Sequence, residues 1–253
     1  MKVASWNVNS LRVRLEHVVE WLDAEKPDVL GLQEIKMPTD AFPEEAFREI
    51  GYQWAVDGQK TYNGVALLSK TAGKDIHKAI PDLEDEQKRA IAGTYEGTRV
   101  INLYVPNGQS VGSDKYAYKL KWLTALEAWL QSELKQHERL VVMGDFNIAP
   151  DDRDVHDPAE WEGKVLCSDA ERAALQNLVN MGLQDSFRLF DQAENSFSWW
   201  DYRAAGFRRN RGMRIDLLLV SAAVAGSCVQ SRIDIEPRTL ERPSDHAPVW
   251  IEF

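Results

Sequence analysis

Cysteine is scarce in this sequence. Its 253 residues include only Cys167 and Cys228, and neither belongs to a CxxC pair or to a Cys/His pattern of zinc-site spacing. A disulfide framework and a cysteine-based zinc site are therefore disfavoured, and a reducing compartment is expected. No run approaches the roughly 18 apolar residues that span a membrane. The start, MKVASWNVNS, also lacks the apolar core of a signal peptide, so we expect a cytoplasmic protein with no membrane association.

A surplus of positive charge is also missing. The chain has 30 Lys and Arg against 40 Asp and Glu, for a net charge of −10. Binding to nucleic acid usually depends on surplus Lys and Arg, so the charge balance argues against such a partner. Some of the carboxylates, however, can be metal ligands instead of surface charge. The balance therefore makes a nucleic-acid partner less expected without excluding it.

The chain shows no internal repeat, low-complexity tract or Gly/Ser linker, which favours one domain over residues 1–253. Apolar residues at helical spacing predict a helix from Leu11 that ends near Lys26-Pro27, and further helices over Glu44–Ile50, over Lys115–Leu134 and from a cap at Asp169 to Met181. Apolar runs predict strands over Val3–Trp6, Asp28–Leu32, Gly64–Ser69, Ala90–Tyr95, Val100–Tyr104, Leu140–Met143, Ile215–Val220, Val229–Ile235 and Val249–Phe253. About ten strands with intervening helices predict an α/β protein with two packed sheets flanked by helices.

Polar side chains border six of these predicted strands. They are carboxylates, carboxamides, a phenol and an imidazole: Asn7, Glu34, Tyr104, Asn107, Asp145, Asn147, Asp216, Asp245 and His246. Ligands commonly gather where strand ends meet loops. The pattern therefore predicts one polar site assembled from the strand ends.

Two carboxylates suit metal-assisted chemistry. Glu34 is the strongest candidate ligand for a hard divalent ion such as Mg²⁺, which prefers oxygen donors; its structural alternative is a charge at a strand end. Asp145 follows an apolar run, where a charge needs a partner or a task; its alternative is an Asx turn with Asn147. Asn7 and Asn147 can hold a phosphate or a water, although either alone is more often a turn residue.

A histidine stands on a stiff turn near the C-terminus, in "RPSDHAPVW" (242–250). A histidine that acts near neutral pH needs a carboxylate to hold its tautomer and to stabilise its charged form. Either Asp245 or the sequence-distant Asp216 can supply that carboxylate. The alternative is a surface histidine, but its place among acidic strand ends favours a role in the site.

Three stretches are rich in basic or aromatic residues. "FRRNRGMR" (207–214) has four arginines, namely Arg208, Arg209, Arg211 and Arg214, and "FSWWDY" (197–202) precedes it. Such a pairing suits phosphate contact and stacking on nucleic acid, although a solvated loop and core aromatics are equally compatible. The face of "KYAYKLKW" (115–122) with Lys115, Lys119 and Lys121 offers a weaker second phosphate contact.

The motifs "WNVNSLR", "LQEIK", "YVPNGQ", "GDFNIAP", "NRGMRIDLLLVS" and "PSDHAPV" occur in this order. With them, the chain resembles the exonuclease III family of abasic-site endonucleases, within the wider endonuclease/exonuclease/phosphatase superfamily, from Val3 to Trp250. The resemblance implies a DNase I-like four-layered α/β sandwich. It also implies Mg²⁺- or Mn²⁺-dependent hydrolysis of phosphodiesters in damaged double-stranded DNA.

The resemblance also implies roles for individual residues. Glu34 would bind the metal, helped by Asn9 and Asp245. In the implied catalytic set, Asp145 orients or deprotonates the attacking water, and Asn147 and Asn7 hold that water and the phosphate. His246 pairs with Asp216 and stabilises the transition state. Tyr104 assists the phosphate or the leaving group. The implied DNA contacts are Lys36, Asn107, Gln109, Trp199, Arg208, Arg209, Arg211 and Met213. Met213 occupies a position at which relatives often have a bulkier residue that shapes the abasic-sugar pocket, and residues 156–172 would lie near its rim.

These observations together predict a DNA-repair phosphodiesterase that cuts 5′ to abasic sites, removes 3′ blocking groups and nucleotides, or does both. One alternative is a phosphodiesterase for a small ester such as a phospholipid or inositol phosphate, which would not need the arginine loop. The other is a DNA-binding scaffold without turnover, which the presence of every expected catalytic residue type disfavours. A monomer with no obligate protein partner is expected.

Overall fold

The computed structural model describes residues 1–253 and contains fourteen strands. They are β1 (Lys2–Asn7), β2 (Val29–Gln33), β3 (Gln53–Asp57), β4 (Val65–Ser69), β5 (Lys74–Lys78), β6 (Ala90–Tyr95), β7 (Thr98–Tyr104), β8 (Leu140–Asp145), β9 (Gln184–Asp185), β10 (Trp199–Trp200), β11 (Gly212–Met213), β12 (Asp216–Val220), β13 (Gln230–Ile233) and β14 (Val249–Glu252). All nine predicted strands are confirmed to within two residues at either end.

Twelve strands form two six-stranded sheets. The first has the order β13-β14-β1-β2-β4-β3 and the second has the order β5-β6-β7-β8-β12-β9, while β10 and β11 form a separate ribbon. Within these otherwise antiparallel sheets, β1 pairs with β2 and β7 pairs with β8 in parallel. Both sheets are therefore mixed.

Six helices accompany the sheets: α1 (Leu11–Glu25), α2 (Glu44–Glu49), α3 (Asp114–Gln136), α4 (Pro158–Trp161), α5 (Asp169–Asn180) and α6 (Ala222–Ala225). Helices α1 and α2 pack on the outer face of the first sheet, and α3 and α5 pack on the outer face of the second. The predicted four-layered sandwich is confirmed. None of the helices combines the length and apolar character needed to cross a membrane.

The strand sequences produce this layering because successive side chains of a strand point to opposite faces. In β8, Val141 and Met143 pack between the two sheets, whereas Leu140 and Val142 pack beneath α3 and α5. Strands buried on both faces read as continuous apolar runs. The apolar run from Leu140 is such a strand, which explains why the sequence alone identified it.

Strand register places the polar strand ends together. In the first sheet, Asn7 is opposite Gln33, so Glu34 follows directly beside it. In the second sheet, Asp145 is opposite both Tyr104 on β7 and Asp216 on β12. The two packed sheets therefore present these side chains at one edge.

Some predicted details are wrong. Helix α5 is capped by Ser168, whose side chain accepts from the Glu171 amide, and not by Asp169. Strands β3, β5, β9, β10 and β11 were not predicted. Strand β5 is exposed along its whole length, and β9, β10 and β11 are two residues each, so neither burial nor alternation marks these four strands in the sequence.

Candidate active site

Asn7 joins one carboxylate from each sheet. Its Nδ2 donates to Glu34 Oε1 at 2.9 Å and to Asp145 Oδ2 at 2.8 Å, while its Oδ1 accepts the Asn9 amide at 2.9 Å. The carboxamide is fully buried, and both of its N–H donors are engaged. This geometry gives Asn7 the task of holding the two carboxylates and leaves it no donor for a phosphate, which corrects the role expected for it.

The histidine on the C-terminal turn pairs with Asp216. Its Nδ1 lies 2.9 Å from Asp216 Oδ2, and that carboxylate oxygen also accepts from Ser198 Oγ at 2.6 Å. Its Nε2 points toward Asp145, 3.7 Å from Oδ2. The Ser244 hydroxyl donates to the Asn7 carbonyl at 2.6 Å and so attaches the turn to β1. The open choice between Asp245 and Asp216 is thereby decided in favour of Asp216.

Burial and neighbouring charges together set the pKa values of His246 and Asp145. Burial disfavours the charged form of His246, but Asp216 and Asp145 outweigh it and raise the pKa of the imidazole above its ordinary value. Burial raises the pKa of Asp145, and His246 opposes that rise only in part. The imidazole is therefore cationic near neutral pH, and Asp145 is a stronger base than an exposed aspartate.

The predicted metal ligands lie beside this pair and share hydrogen bonds. Lys36 Nζ contacts Glu34 Oε2 at 2.9 Å and Asn9 Oδ1 at 2.5 Å. Asp245 accepts from Asn9 Nδ2 at 2.9 Å and from Trp199 Nε1 at 3.0 Å. The set expected to bind metal is therefore one connected group in which Lys36 lies between two of its oxygen donors.

The donor set fits a hard divalent cation. Carboxylate oxygens of Glu34 and Asp145 lie within 4.8 Å of each other beside the cationic His246, which is not itself a ligand, and the Asn9 carboxamide and Asp245 carboxylate add further oxygens. Carboxylate and carboxamide oxygens are what Mg²⁺ and Mn²⁺ prefer. Glu34 belongs both to this close cluster and to the predicted ligand set, so it is the central metal-binding candidate.

Five of the predicted residues have left-handed backbone: Asn9, Glu34, Lys36, Gln109 and Asn147 have φ values of 44°, 51°, 52°, 59° and 48°. Asparagine tolerates this region, but for glutamate and lysine it carries a steric cost. Residues held in such conformations cluster at functional sites. Their concentration here supports assigning function to this edge.

Tyr104 lines the same edge and packs against Arg89, which the sequence analysis did not identify. The guanidinium lies 4.5 Å from the centroid of the phenol ring, and Arg89 Nη1 donates to the Tyr104 carbonyl at 3.2 Å. Burial, with Glu34 and Asp145, raises the pKa of Tyr104 well above its usual value, although Arg89 opposes this. The phenol therefore stays protonated and serves as a hydrogen-bond donor.

Asn107 and Asn147 form a second carboxamide pair. Asn107 Nδ2 donates to Asn147 Oδ1 at 3.0 Å, and Asn147 Nδ2 donates to the Val105 carbonyl at 3.0 Å. The Asn147 amide donates to Asp145 Oδ1 at 2.9 Å, which is the Asx turn considered from sequence. Gln109 is exposed, and its amide donates to Asn107 Oδ1. The pair thus lies directly beside the Asp145 carboxylate.

Two residues expected to contact DNA, Met213 and Trp199, contact other protein residues in the structure. Met213 has no exposed surface and packs with Ala149, Leu166 and Trp199, so a ligand cannot touch it in this conformation. Trp199 is half-buried and donates its indole N–H to Asp245. The expected direct contact of Met213 is wrong for this conformation, because the short β10–β11 ribbon turns its side chain inward.

The arginine loop divides into two parts. Arg208 and Arg209 are exposed, and Arg211 is partly exposed and pairs with Glu160 at 3.2 Å. Arg214 is buried and pairs with Asp154 and Asp185, each at 2.6 Å. The first three remain available to a phosphate, whereas Arg214 has a structural role.

The lysine face at 115–122 is also divided. Lys119 is fully buried, while Lys115 and Lys121 are exposed. Lys119 therefore cannot contact a phosphate, and the interpretation of this helix face as a three-lysine contact is wrong.

Known proteins match this chain over all of the residues that form the candidate site. Residues 4–246 match the model of the Endonuclease/Exonuclease/phosphatase family. The sequence is 42% identical over 266 residues to exodeoxyribonuclease III of Haemophilus influenzae, covering 100% of both chains. The structure is similar to the 3′ phosphatase NExo from Neisseria bound to a product DNA hairpin, with a TM-score of 0.98, 47% identity and coverage of 100% of this chain and 99% of that chain. It is also similar to an AP endonuclease from Archaeoglobus fulgidus, with a TM-score of 0.96, 37% identity and the same coverage.

Proposed function

The chain belongs to the endonuclease/exonuclease/phosphatase family, and from this premise we propose that it is a metal-dependent phosphodiesterase of DNA repair. It hydrolyses the DNA backbone 5′ to abasic sites and removes blocking groups and nucleotides from 3′ ends. The observation that carries the proposal is the buried Asp216–His246 pair, which faces Asp145 beside Glu34. An acid, a base and oxygen ligands at one edge are the parts that phosphodiester hydrolysis needs.

In the proposed mechanism, Asp145 orients and deprotonates the attacking water. Its raised pKa suits a general base that works near neutral pH. The charged His246, held by Asp216, stabilises negative charge on the phosphate in the transition state. Tyr104 donates a hydrogen bond to the phosphate or to the leaving oxygen. Asn147 and Asn107 hold the water and the phosphate from the opposite side.

The metal site in this proposal consists of Glu34 with help from Asn9 and Asp245. Mg²⁺ or Mn²⁺ when bound supplies positive charge that stabilises the phosphate and the departing 3′ oxygen. Asn7 holds Glu34 toward Asp145, and Trp199 holds Asp245. The side chains therefore keep the ligands in place before the ion binds.

Damaged double-stranded DNA is the proposed partner. Lys36, Asn107 and Gln109 lie beside the site and contact the backbone near the scissile phosphate. Arg208, Arg209 and Arg211 supply a local basic patch in an acidic protein, and phosphate contacts of this kind position the duplex. Met213 supports the pocket wall from behind instead of touching the sugar.

Two positions of cleavage are compatible with this site. Among the similar structures, one is a 3′ phosphatase and another is an AP endonuclease. Both activities require a phosphate beside Asp145 and His246, and they differ in whether DNA continues beyond that phosphate. We therefore propose both for this chain, with their ratio set by the walls around Trp199 and residues 156–172.

We also propose one domain over residues 1–253, because β1 and β14, from opposite ends of the chain, pair directly. A monomer without an obligate partner is proposed because one chain supplies every residue of the site. A cytoplasmic location is proposed because both cysteines are free.

The substrate class is tested by measuring kcat/KM on three substrates in Mg²⁺. They are a duplex with one abasic-site analogue, a nicked duplex ending in a 3′-phosphate, and a soluble inositol phosphodiester. The proposal expects turnover of both DNA substrates and no measurable turnover of the small ester. Preference for the small ester would contradict the DNA assignment.

A further inference from the structure

Lys119 on α3 is a lysine with no exposed surface, and it lies directly behind the loops of Asn107 and Asn147. Its Nζ donates to the Asn147 carbonyl at 2.6 Å and to the Asn107 carbonyl at 3.1 Å. It also donates to the Glu171 carboxylate. An ammonium has three donors, so all three are used, and two of them hold the backbone of the candidate site.

Glu171 extends this connection to a third segment. It is also fully buried and accepts from the amides of Leu166 at 3.1 Å and Ser168 at 3.2 Å. The Leu166 carbonyl in turn accepts from the Ala149 amide at 2.8 Å. One buried ion pair therefore joins the Asn107 loop, the Asn147 loop and the rim segment around Leu166.

The hydrogen bond from Lys119 to the Asn147 carbonyl also restricts the Asn147 side chain. Asn147 has a φ of 48°, and its amide donates to Asp145 while its carbonyl points inward to Lys119. Holding both ends of this peptide segment fixes the carboxamide that pairs with Asn107. Such fixing matters because a misplacement of about 1 Å far from the reacting atoms can reduce turnover about a hundredfold.

We propose that Lys119 and Glu171 are a positioning pair, which holds Asn107 and Asn147 in the geometry that the transition state requires. The inference rests on the proposed function, because it assigns the pair to the same reaction. A buried ion pair is weak evidence for stability, since apolar replacements are often as stable. Its contacts with two backbone carbonyls of the site supply the more specific reason for its presence.

The test is the double variant Lys119→Met/Glu171→Gln. The single variant Lys119→Met leaves a buried carboxylate without a partner, and its loss of folding would obscure the result. The double variant removes both charges, keeps an amide at position 171 to meet Ser168, and deletes the donors to Asn107 and Asn147. We expect kcat to fall about tenfold to a hundredfold with KM for DNA unchanged, because neither residue reaches the surface.

The chain offers a matched control in Arg99 and Glu133, a second buried ion pair with a 2.7 Å contact. Arg99 lies near the start of β7, at the opposite end from Tyr104. Arg99→Met/Glu133→Gln should leave kcat unchanged, whatever its Tm, at a temperature where both variants are folded. This comparison separates loss of positioning from general loss of stability.

The possible results distinguish failure of the positioning role from failure of the proposed function. A fall in kcat confined to the Lys119 and Glu171 variant supports the positioning role. Wild-type kcat in that variant, or an equal fall in the Arg99 and Glu133 variant, overturns it while leaving the proposed function intact. Absence of wild-type turnover on both DNA substrates overturns the proposed function itself.

Discussion

His246 Nδ1 lies 2.9 Å from Asp216 Oδ2, although 30 residues separate the two in the chain. The adjacent residue, Asp245, contacts Asn9 and Trp199 instead. Neighbouring side chains of this turn thus have different partners. The turn therefore sends the imidazole to the Asp145 side and the carboxylate to the metal-ligand side.

Asp216→Asn should shift the basic limb of the pH–activity profile to lower pH. Asp216 raises the pKa of His246, so its removal lowers that pKa, and the charged imidazole is lost at a lower pH. Turnover should also fall about a hundredfold or more, as expected when a group that stabilises transition-state charge is disabled. The check is kcat/KM from about pH 6 to about pH 10. Asp234→Asn serves as a control outside the site, and an unmoved basic limb would remove Asp216 from this role.

Asp145→Asn should abolish turnover and stabilise the metal-free protein. Burial raises the pKa of Asp145, so above that pKa its charged form opposes folding, and stability decreases as pH rises from the unfolded pKa through the folded one. The neutral amide removes this cost. In EDTA at pH 8, Tm should rise by at least about 2 °C, the shift from about 1 kcal/mol in a chain of this size. A lower Tm would show that the carboxylate stabilises the fold.

Glu34→Gln should raise the metal concentration needed for half-maximal activity. The amide oxygen can still accept from Asn7, but the negative charge that attracts the cation is lost. We expect an increase of at least about tenfold, the size of effect that even an outer partner of a ligand produces. The measurement is activity against Mg²⁺ concentration, with Asp234→Asn as the control. An unaltered requirement would exclude Glu34 as a ligand.

Replacing Arg208, Arg209 and Arg211 with Ala should weaken duplex binding at every sequence. Each phosphate contact contributes about one to the slope of log K against log salt, so the slope should flatten by roughly 2 to 3. The matched control replaces three exposed lysines of equal charge, Lys74, Lys78 and Lys135. Equal slopes for the two triple variants would show that the arginine loop does not contact DNA.

The sequence was sufficient for the layered fold and for the edge at which the site forms. Apolar strands such as Leu140–Met143 are buried on both faces and are therefore visible as runs, and this strand leads directly to Asp145 and Asn147. The resemblance supplied the residue roles. The exposed β5 and the two-residue ribbon of Trp199 and Met213 lack any periodic signal, so they could not be predicted.

The detailed partners depend on contacts between segments far apart in the chain. Lys119 and Arg214 stand in basic stretches typical of surfaces, yet each is buried because Glu171, or Asp154 with Asp185, meets it in the fold. Asn7 likewise bridges two sheets, a task that no local pattern reveals. Sequence periodicity describes faces and ends of elements, and it does not describe which distant carboxylate faces a given cation.

The most direct measurement incubates the wild-type protein and His246→Ala with a duplex containing one abasic-site analogue and with a nicked duplex ending in a 3′-phosphate. Each reaction is run in Mg²⁺ and in EDTA, and the products are sized on a gel. The account predicts Mg²⁺-dependent cleavage by the wild-type protein, and no cleavage in EDTA or by His246→Ala. Cleavage in EDTA, equal cleavage by His246→Ala, or no wild-type cleavage of either duplex would contradict it.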